Sequence, residues 1–346
     1  MKKRVVGIDI TGRSIRAVQM LHRSGQRSIV EKFIDFPIDV FDANFDKSRA
    51  SHLARNLRDM WREAGFKTQY LAVGIGGADV FVREFSVPDI APHKLKKALP
   101  DLMKADLPMP IEEVLLDFYA NSRSVVDGEE RLNGLAVAAN RSAVEELMEA
   151  SRAAKLKVTS IDLVPFALTR HLMQRKVQTG VKAYVRASNS YINIVVTEGS
   201  AIVFVRLVPW ENLGTSQMQL ADASNGDEGG LMFDSANPTT GELAVVVEQE
   251  QTQTALQTQA IRELDETMAY FHVNHPDKKI EEILVSGYRL DNPKFIKAMS
   301  KGKDIWVTGI TKTGLGHKKS TVSKVDSAEL PDHLAVALAL AEGVEL

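Results

Sequence analysis

The sequence predicts an α/β protein made of two related halves, with a smaller unit of its own β-α-β-β-α order inserted into the first. Three observations carry this. Val5 to Met20 reads as two apolar strands on either side of a polar turn, Thr11-Gly12-Arg13-Ser14. A second hairpin of the same type follows later, with Ala183-Tyr184-Val185 and Ile192 to Val196 flanking a polar bend at Arg186 to Ser190. Between the two, residues 79–157 change texture. The division that follows is 1–78 with 158–180 for the first half, 79–157 for the insert and 181–346 for the second half.

Taken in order, a third strand runs from Arg27 to Phe36 and stops at Pro37. Ser51 to Ala64 places Leu53, Leu57, Met60, Trp61 and Ala64 on one stripe of a helix that Gly65 closes. Tyr70 to Ile75 is a buried strand. The order β-β-β-α-β differs from a dinucleotide-binding opening, so Gly74-Ile75-Gly76-Gly77 is read as tight turning, with ligand binding as the alternative. In the insert, Val80 to Phe85 alternates as a strand, and a helix through Lys94, Leu95, Leu99 and Leu102 should kink or split at Pro100. Strands from Val114 to Ser122 and Leu132 to Ala139 flank a turn at Asp127-Gly128-Glu129, and Ser142 to Glu145 has capping-box spacing ahead of another helix. Val158 to Leu163 returns to the main fold, and Pro165 opens the next helix. In the second half, Ala201 to Val208 is a strand and Gln217 to Gln253 a mobile loop. A helix covers Thr254 to His275, and strands follow at Ile280 to Val285 and Asp304 to Val307, with a short helix from Pro293 to Met299 between them. Gly309 to Ser327 is a loop.

Composition excludes several classes. The chain has 346 residues and a net charge of −2, from 43 Lys and Arg against 45 Asp and Glu, so no global basic field speaks for nucleic acid. There is no cysteine, which excludes disulfides and thiolate metal sites and suits a cytoplasmic setting. No run approaches the roughly 20 apolar residues of a membrane span, so membrane contact is expected only through a partner.

The order of these pieces resembles the actin-like ATPase superfamily and, within it, the PilM family of type IV pilus assembly proteins, relatives of FtsA and MreB. Gly7-Ile8-Asp9-Ile10 with Ser14-Ile15-Arg16-Ala17-Val18 is similar to that superfamily's first phosphate loop and second strand. Val87-Pro88, Leu107-Pro108 and Asp117-Phe118 are similar to landmarks of the FtsA/PilM-type inserted subdomain. Ile161 to Leu168 is similar to the segment that leaves the insert, and Ala335 to Leu340 resembles the C-terminal helix. The resemblance implies a duplicated actin-like (ribonuclease H-like) fold and an ATP-Mg²⁺ cleft. It also implies a place on the cytoplasmic side of a pilus or secretion machine, peripheral to the inner membrane. The partner it implies is the short cytoplasmic N-terminal segment of a PilN-like single-span protein, with the assembly platform and its motor ATPase beyond.

Departures from that pattern sharpen the expectation. Arg186-Ala187-Ser188 stands where the second phosphate loop has Asp-Ile-Gly, so a cation replaces the acid that would support Mg²⁺. The adenosine-side Gly-Gly is Ser286-Gly287, and Thr11 replaces a glycine of the first loop. A retained nucleotide would use Asp9, Thr11, Gly12, Arg13, Ser14, Arg186, Ser188, Asn189, Ser286 and Gly287, with Asp9 alone on the metal. Three states stay open: an active ATPase, a fold holding nucleotide without turnover, and a cleft that binds none. The expectation is a scaffold that is not an active ATPase, with a nucleotide-switched FtsA-like polymer as the alternative. The partner peptide is expected in a groove between the first-half sheet and the insert, lined by Val80, Phe81, Val82 and Phe85. His272 and His275 read as surface or capping residues rather than zinc ligands. Lys94, Lys96, Lys97 and Lys104 read as a solvated helix face, with a landing strip for anionic lipid or an acidic partner as the alternative.

Overall fold

A computed structural model describes residues 2–39, 48–173, 179–187, 191–209, 239–287, 293–301, 305–309 and 332–344. Two five-stranded sheets repeat one design. In the first, β1 (Lys2–Ile10), β2 (Ser14–Arg23) and β3 (Gln26–Pro37) are antiparallel, and β4 (Tyr70–Ile75) and β8 (Lys157–Leu163) add in parallel, in the order β3-β2-β1-β4-β8. In the second, β9 (Val181–Ala187), β10 (Tyr191–Glu198) and β11 (Ala201–Pro209) are antiparallel, and β12 (Ile280–Gly287) and β13 (Trp306–Gly309) add in parallel, in the order β11-β10-β9-β12-β13. The fold is the duplicated α/β architecture that the two hairpins predicted.

The third sheet, β5-β7-β6, is built from β5 (Val80–Pro88), β6 (Val114–Val126) and β7 (Glu129–Asn140). Its long strands end in a two-residue turn in which Asp127 and Gly128 both have positive φ, 53° and 84°. That geometry matches the right-handed twist of the flanking strands, which explains why pairing extends through polar residues beyond the expected limits. Helix α2 (Pro92–Met103) continues through Pro100 instead of splitting, since a proline near a helix end removes only one hydrogen bond. It covers this sheet with Leu95, Leu99 and Met103. Asn140, not Ser142, caps α3 (Arg141–Ala153), its side chain accepting from the Ala143 amide at 3.3 Å.

Helix α1 (Arg49–Ala64) and α3 cover one face of the first sheet through Ala50, Ala54, Leu57, Met60, Leu147 and Ala150. Gly65 ends α1 in the left-handed region at φ 59°, as expected. The other face is covered by α4 (Val164–Met173) and by α7 (Ala335–Glu342), whose residues Ala335 to Ala341 are all buried. The last helix, in the stretch expected to belong to the second half, packs on β1, β2, β4 and α4 of the first. The reason is local. A Cβ on Gly7 would stand 2.0 Å from the Ala337 carbonyl oxygen, and one on Gly74 would stand 2.9 Å from Leu340. Gly7 lets the helix backbone approach β1 closely and Gly74 leaves room for the Leu340 side chain, a fit suited to a helix of small apolar residues. His22 locks the arrangement: it is 4% exposed, with Nε2 at 2.9 Å from the Ala341 carbonyl and Nδ1 at 2.9 Å from the Ser28 hydroxyl. A carbonyl only accepts, so Nε2 carries the proton and Nδ1 accepts from Ser28.

In the second half, α5 spans Thr239–Asn274 and α6 spans Pro293–Ser300. The helix thus begins within the stretch expected to be a mobile loop, because Leu243, Ala244 and the Glu- and Gln-rich run after Val247 are good helix formers that extend a helix started at their C-terminal end. The rest of that expected loop, 217–238, lies outside the described residues, as does 310–327 of the Gly309 to Ser327 loop. Ala260, Leu264, Met268 and Phe271 of α5, with Phe295 and Met299 of α6, cover one face of the second sheet. The opposite face meets the insert and α4: Tyr184, Val195, Ile202, Val205 and Leu284 share a cluster with Val80, Leu135, Val137, Leu163 and Phe166.

Candidate functional site

Two places combine polar side chains with a recess: the ends of β1 and β9, and a groove beside the insert. At the first, strand alternation puts Asp9 on the α7 side of the first sheet, opposite Arg16 in the hairpin register. Arg16 Nη1 lies 3.9 Å from Asp9 Oδ2, and Arg16 Nε lies 3.6 Å from Asp35 Oδ2. Burial pushes the Asp9 carboxyl above its ordinary value; Arg16 and Arg186 pull it back, and Asp35 adds to the rise.

The turn after Asp9 is closed on itself by Thr11. Its hydroxyl oxygen accepts from the Ser14 amide at 3.0 Å and from the Arg13 amide at 3.4 Å, and it donates to the Ser14 carbonyl at 2.9 Å. Thr11 N also donates to the Ser14 carbonyl at 2.9 Å, and Ile38 N to the Arg13 carbonyl at 3.0 Å. Amides that a phosphate loop presents to its ligand are here bonded within the loop. Gly12 has no atom within 4 Å of its Cβ position, and Gly12 and Arg13 are exposed.

In the second half, Arg186 occupies the position that Asp9 holds in the first, beside Asn193 on β10 and Ser286 on β12. Arg186, Asn193 and Ser286 line a cavity of about 20 Å³ with Pro165, Leu168 and Leu172 of α4, room for one water. Gly287 has φ 83°, and its Cβ position lies 2.1 Å from the Ala187 carbonyl, so close strand packing by itself demands glycine there. Ser188 and Asn189 lie outside the described residues. The structure thus brings together Asp9, Arg16, Arg186 and Ser286, with the Thr11 to Ser14 turn at the end of β1. Among the described residues no three His, Cys, Asp or Glu form a metal cluster.

The second place is a groove of about 440 Å³ between the insert and the second half, lined by Glu84, Phe85, Ser86, Ser122, Asn133 and His275 among others. A bulge in β6 between Ala120 and Ser122 turns Asn121 out of the ladder, and its side chain donates to the Ile202 carbonyl at 3.0 Å. Gly134 faces this bulge, and a Cβ there would stand 2.0 Å from the Tyr119 carbonyl. His275 Nε2 meets Glu84 Oε1 at 2.5 Å and stacks on Phe271 at 4.6 Å, joining the end of α5 to the insert. His272 Nδ1 donates to the Lys278 carbonyl at 3.1 Å, tying the end of α5 to the loop that follows it.

Of the four expected groove residues, Phe85 lines this recess while also packing against the insert's own core. Val80 and Val82 point instead into the cluster shared with α4 and the second sheet, and Phe81 is half-buried opposite Ala138. The recess therefore faces β11 and α5, whereas the sequence reading placed it toward the first sheet. Sequence reasoning missed Asn121, Asn133 and the Glu84–His275 contact. Only Gly134 within an alternating strand signalled a bulge there.

A family model described as "Type IV pilus assembly protein PilM" matches residues 7–308. A solved "PilM-PilN type IV pilus biogenesis complex" is similar in structure with a TM-score of 0.73 at 19% identity, over 99% of this chain and 99% of that one. A Bacteroides thetaiotaomicron protein with an actin-like ATPase fold and unknown function matches with a TM-score of 0.47 at 9% identity, over 89% of this chain and 90% of that one. The ethanolamine utilization protein EutJ from Carboxydothermus hydrogenoformans matches with a TM-score of 0.46 at 11% identity, over 99% of this chain and 90% of that one. No curated protein matches the sequence.

Proposed function

The chain belongs to the PilM family of type IV pilus assembly proteins, and from that premise we propose that it is a docking scaffold on the cytoplasmic side of the assembly platform. Its ligand is the extended N-terminal segment of a PilN-like inner-membrane protein. The observation that carries this is the structural likeness, over nearly the whole of both chains, to a PilM solved together with PilN. The groove of about 440 Å³ supports it physically. Asn133, Ser86 and Ser122 supply amide and hydroxyl groups for a peptide backbone, while Phe85 offers an apolar wall. No described helix is long and apolar enough to cross a membrane, so attachment through a membrane-anchored partner fits the chain.

In this reading the nucleotide cleft is degenerate. The Arg13 and Ser14 amides of the first loop are bonded to Thr11, and a guanidinium stands where the second acid would be. ATP hydrolysis needs concentrated positive charge around the phosphoryl group and a metal held by carboxylates. Asp9 is the one feature that favours the second reading, a nucleotide-binding actin-like ATPase with Mg²⁺ on Asp9.

Calorimetric titration with a synthetic peptide of the PilN-like N-terminal segment tests the docking site. Ser122→Arg places a long side chain into the groove from an exposed position and should weaken binding at least about tenfold, roughly 1.4 kcal/mol. Unchanged affinity would put the peptide elsewhere.

A further inference from the structure

We propose that the end of the first sheet opposite Asp9 is a docking face for an anionic membrane surface. The parallel strands β1, β4 and β8 all begin at this end, and β2 finishes there. Topology thereby gathers cations that are scattered in sequence. Lys2 pairs with Arg23 in the β1–β2 register, Lys67 lies in the turn leading into β4, and Lys155 and Lys157 lead into β8. Lys2, Lys67, Lys155 and Lys157 are exposed, and Arg23 is half-buried with a buried Nε that has no hydrogen-bond partner among the described residues. From β2 to β8 is three strand spacings, about 14 Å, so charges on adjacent strands act within the Debye length of about 10 Å at 0.1 M salt.

Of the acids at this end, Glu342 is bonded to the His171 ring at 2.5 Å. Glu31 is occupied by Arg4 at 2.7 Å and by Gln19 at 2.7 Å. Glu63 and Glu149 sit near the C-terminal ends of α1 and α3. The chain carries a net charge of only −2, so this concentration is local rather than global.

Lipid fits better than the other polyanions. The cations are mostly lysines, compact charges on flexible stems that suit a fluid array of phosphates rather than the bidentate recognition of a fixed partner. They come from the starts of β1, β4 and β8 and the end of β2, spread across the sheet rather than along one element. Tyr70, 38% exposed, stands among them with Lys157 Nζ 5.8 Å from its ring centre, the amphipathic kind of side chain found at bilayer interfaces. This adds direct lipid contact to the attachment through a partner, and it does not rest on the peptide groove.

The test is co-sedimentation of the purified full chain, without partner, with vesicles of phosphatidylcholine alone or mixed with phosphatidylglycerol. Binding should require the anionic lipid and vanish in 0.5 M NaCl, where screening exceeds that at physiological salt. Each lysine near such a surface is worth about fivefold in affinity, so Lys67→Gln, Lys155→Gln and Lys157→Gln together should weaken binding about a hundredfold. The triple change Lys94→Gln, Lys96→Gln, Lys97→Gln on the exposed face of α2 should leave it unchanged. Equal binding to neutral vesicles, equal loss from the α2 variant, or binding to duplex DNA or polyglutamate in preference to the anionic vesicles would overturn the proposal.

Discussion

The two large sheets share one strand order, yet their first strands end in opposite charges: Asp9 closes β1 and Arg186 closes β9. Arg16 faces Asp9 across the first hairpin, whereas the neutral Asn193 faces Arg186 across the second. A pair of acids at these positions would repel one another unless a metal lay between them; an acid and a guanidinium attract without one. The halves differ in their cover as well. The first sheet is closed by α7 at backbone distance, while the equivalent face of the second meets α4 and the insert. One strand order is thus shared, while the charge near the end of the first strand differs between the halves.

The largest expected effect tests the difference in cover. Gly7→Ala would put a methyl 2.0 Å from the Ala337 carbonyl and should cost about 3 kcal/mol in urea unfolding, the upper range for overpacking. Recovery of full stability would mean that α7 does not hold its place so closely. Next is charge. Arg186→Asp makes the two halves alike, and should cost about 1–2 kcal/mol at neutral pH, since Asp9 loses an attracting neighbour and gains a repelling one. Part of that loss should return on adding Mg²⁺, read as a shift in melting temperature.

A pH series isolates Asp9 itself. Its folded pKa is raised by burial above the ordinary 3.8, so between those values the folded chain holds a proton that the unfolded chain has released. Stability attributable to Asp9 therefore falls as pH rises through that window and is level above it. In Asp9→Asn this fall should disappear from urea midpoints measured across the acid range. The smallest expected effect is Thr11→Gly, about 1 kcal/mol from lost turn hydrogen bonds and added backbone freedom.

Both hairpins were legible in the sequence because apolar runs broken by Thr-Gly-Arg-Ser and by Arg186 to Ser190 specify strand, turn and strand locally. The docking of α7 was not. A helix of seven buried apolar residues states that it is covered on all sides without stating by which sheet, and only Gly7 and Gly74 answer that in three dimensions. At the candidate site the exchange of acid for arginine was readable by position. The closure of the first turn by Thr11 was not, because a hydroxyl's choice between loop amides and ligand depends on coordinates. The groove residues Asn121 and Asn133 come from two strands whose register, not their composition, brings them beside β11.

The central claim, that opposite charges and a self-bonded turn have removed the need for nucleotide, is met most directly by calorimetric titration of the wild-type chain with ATP, with and without Mg²⁺. The account predicts affinity weaker than about 1 mM in both conditions. Saturable micromolar binding that required Mg²⁺ and was lost in Asp9→Ala would contradict it.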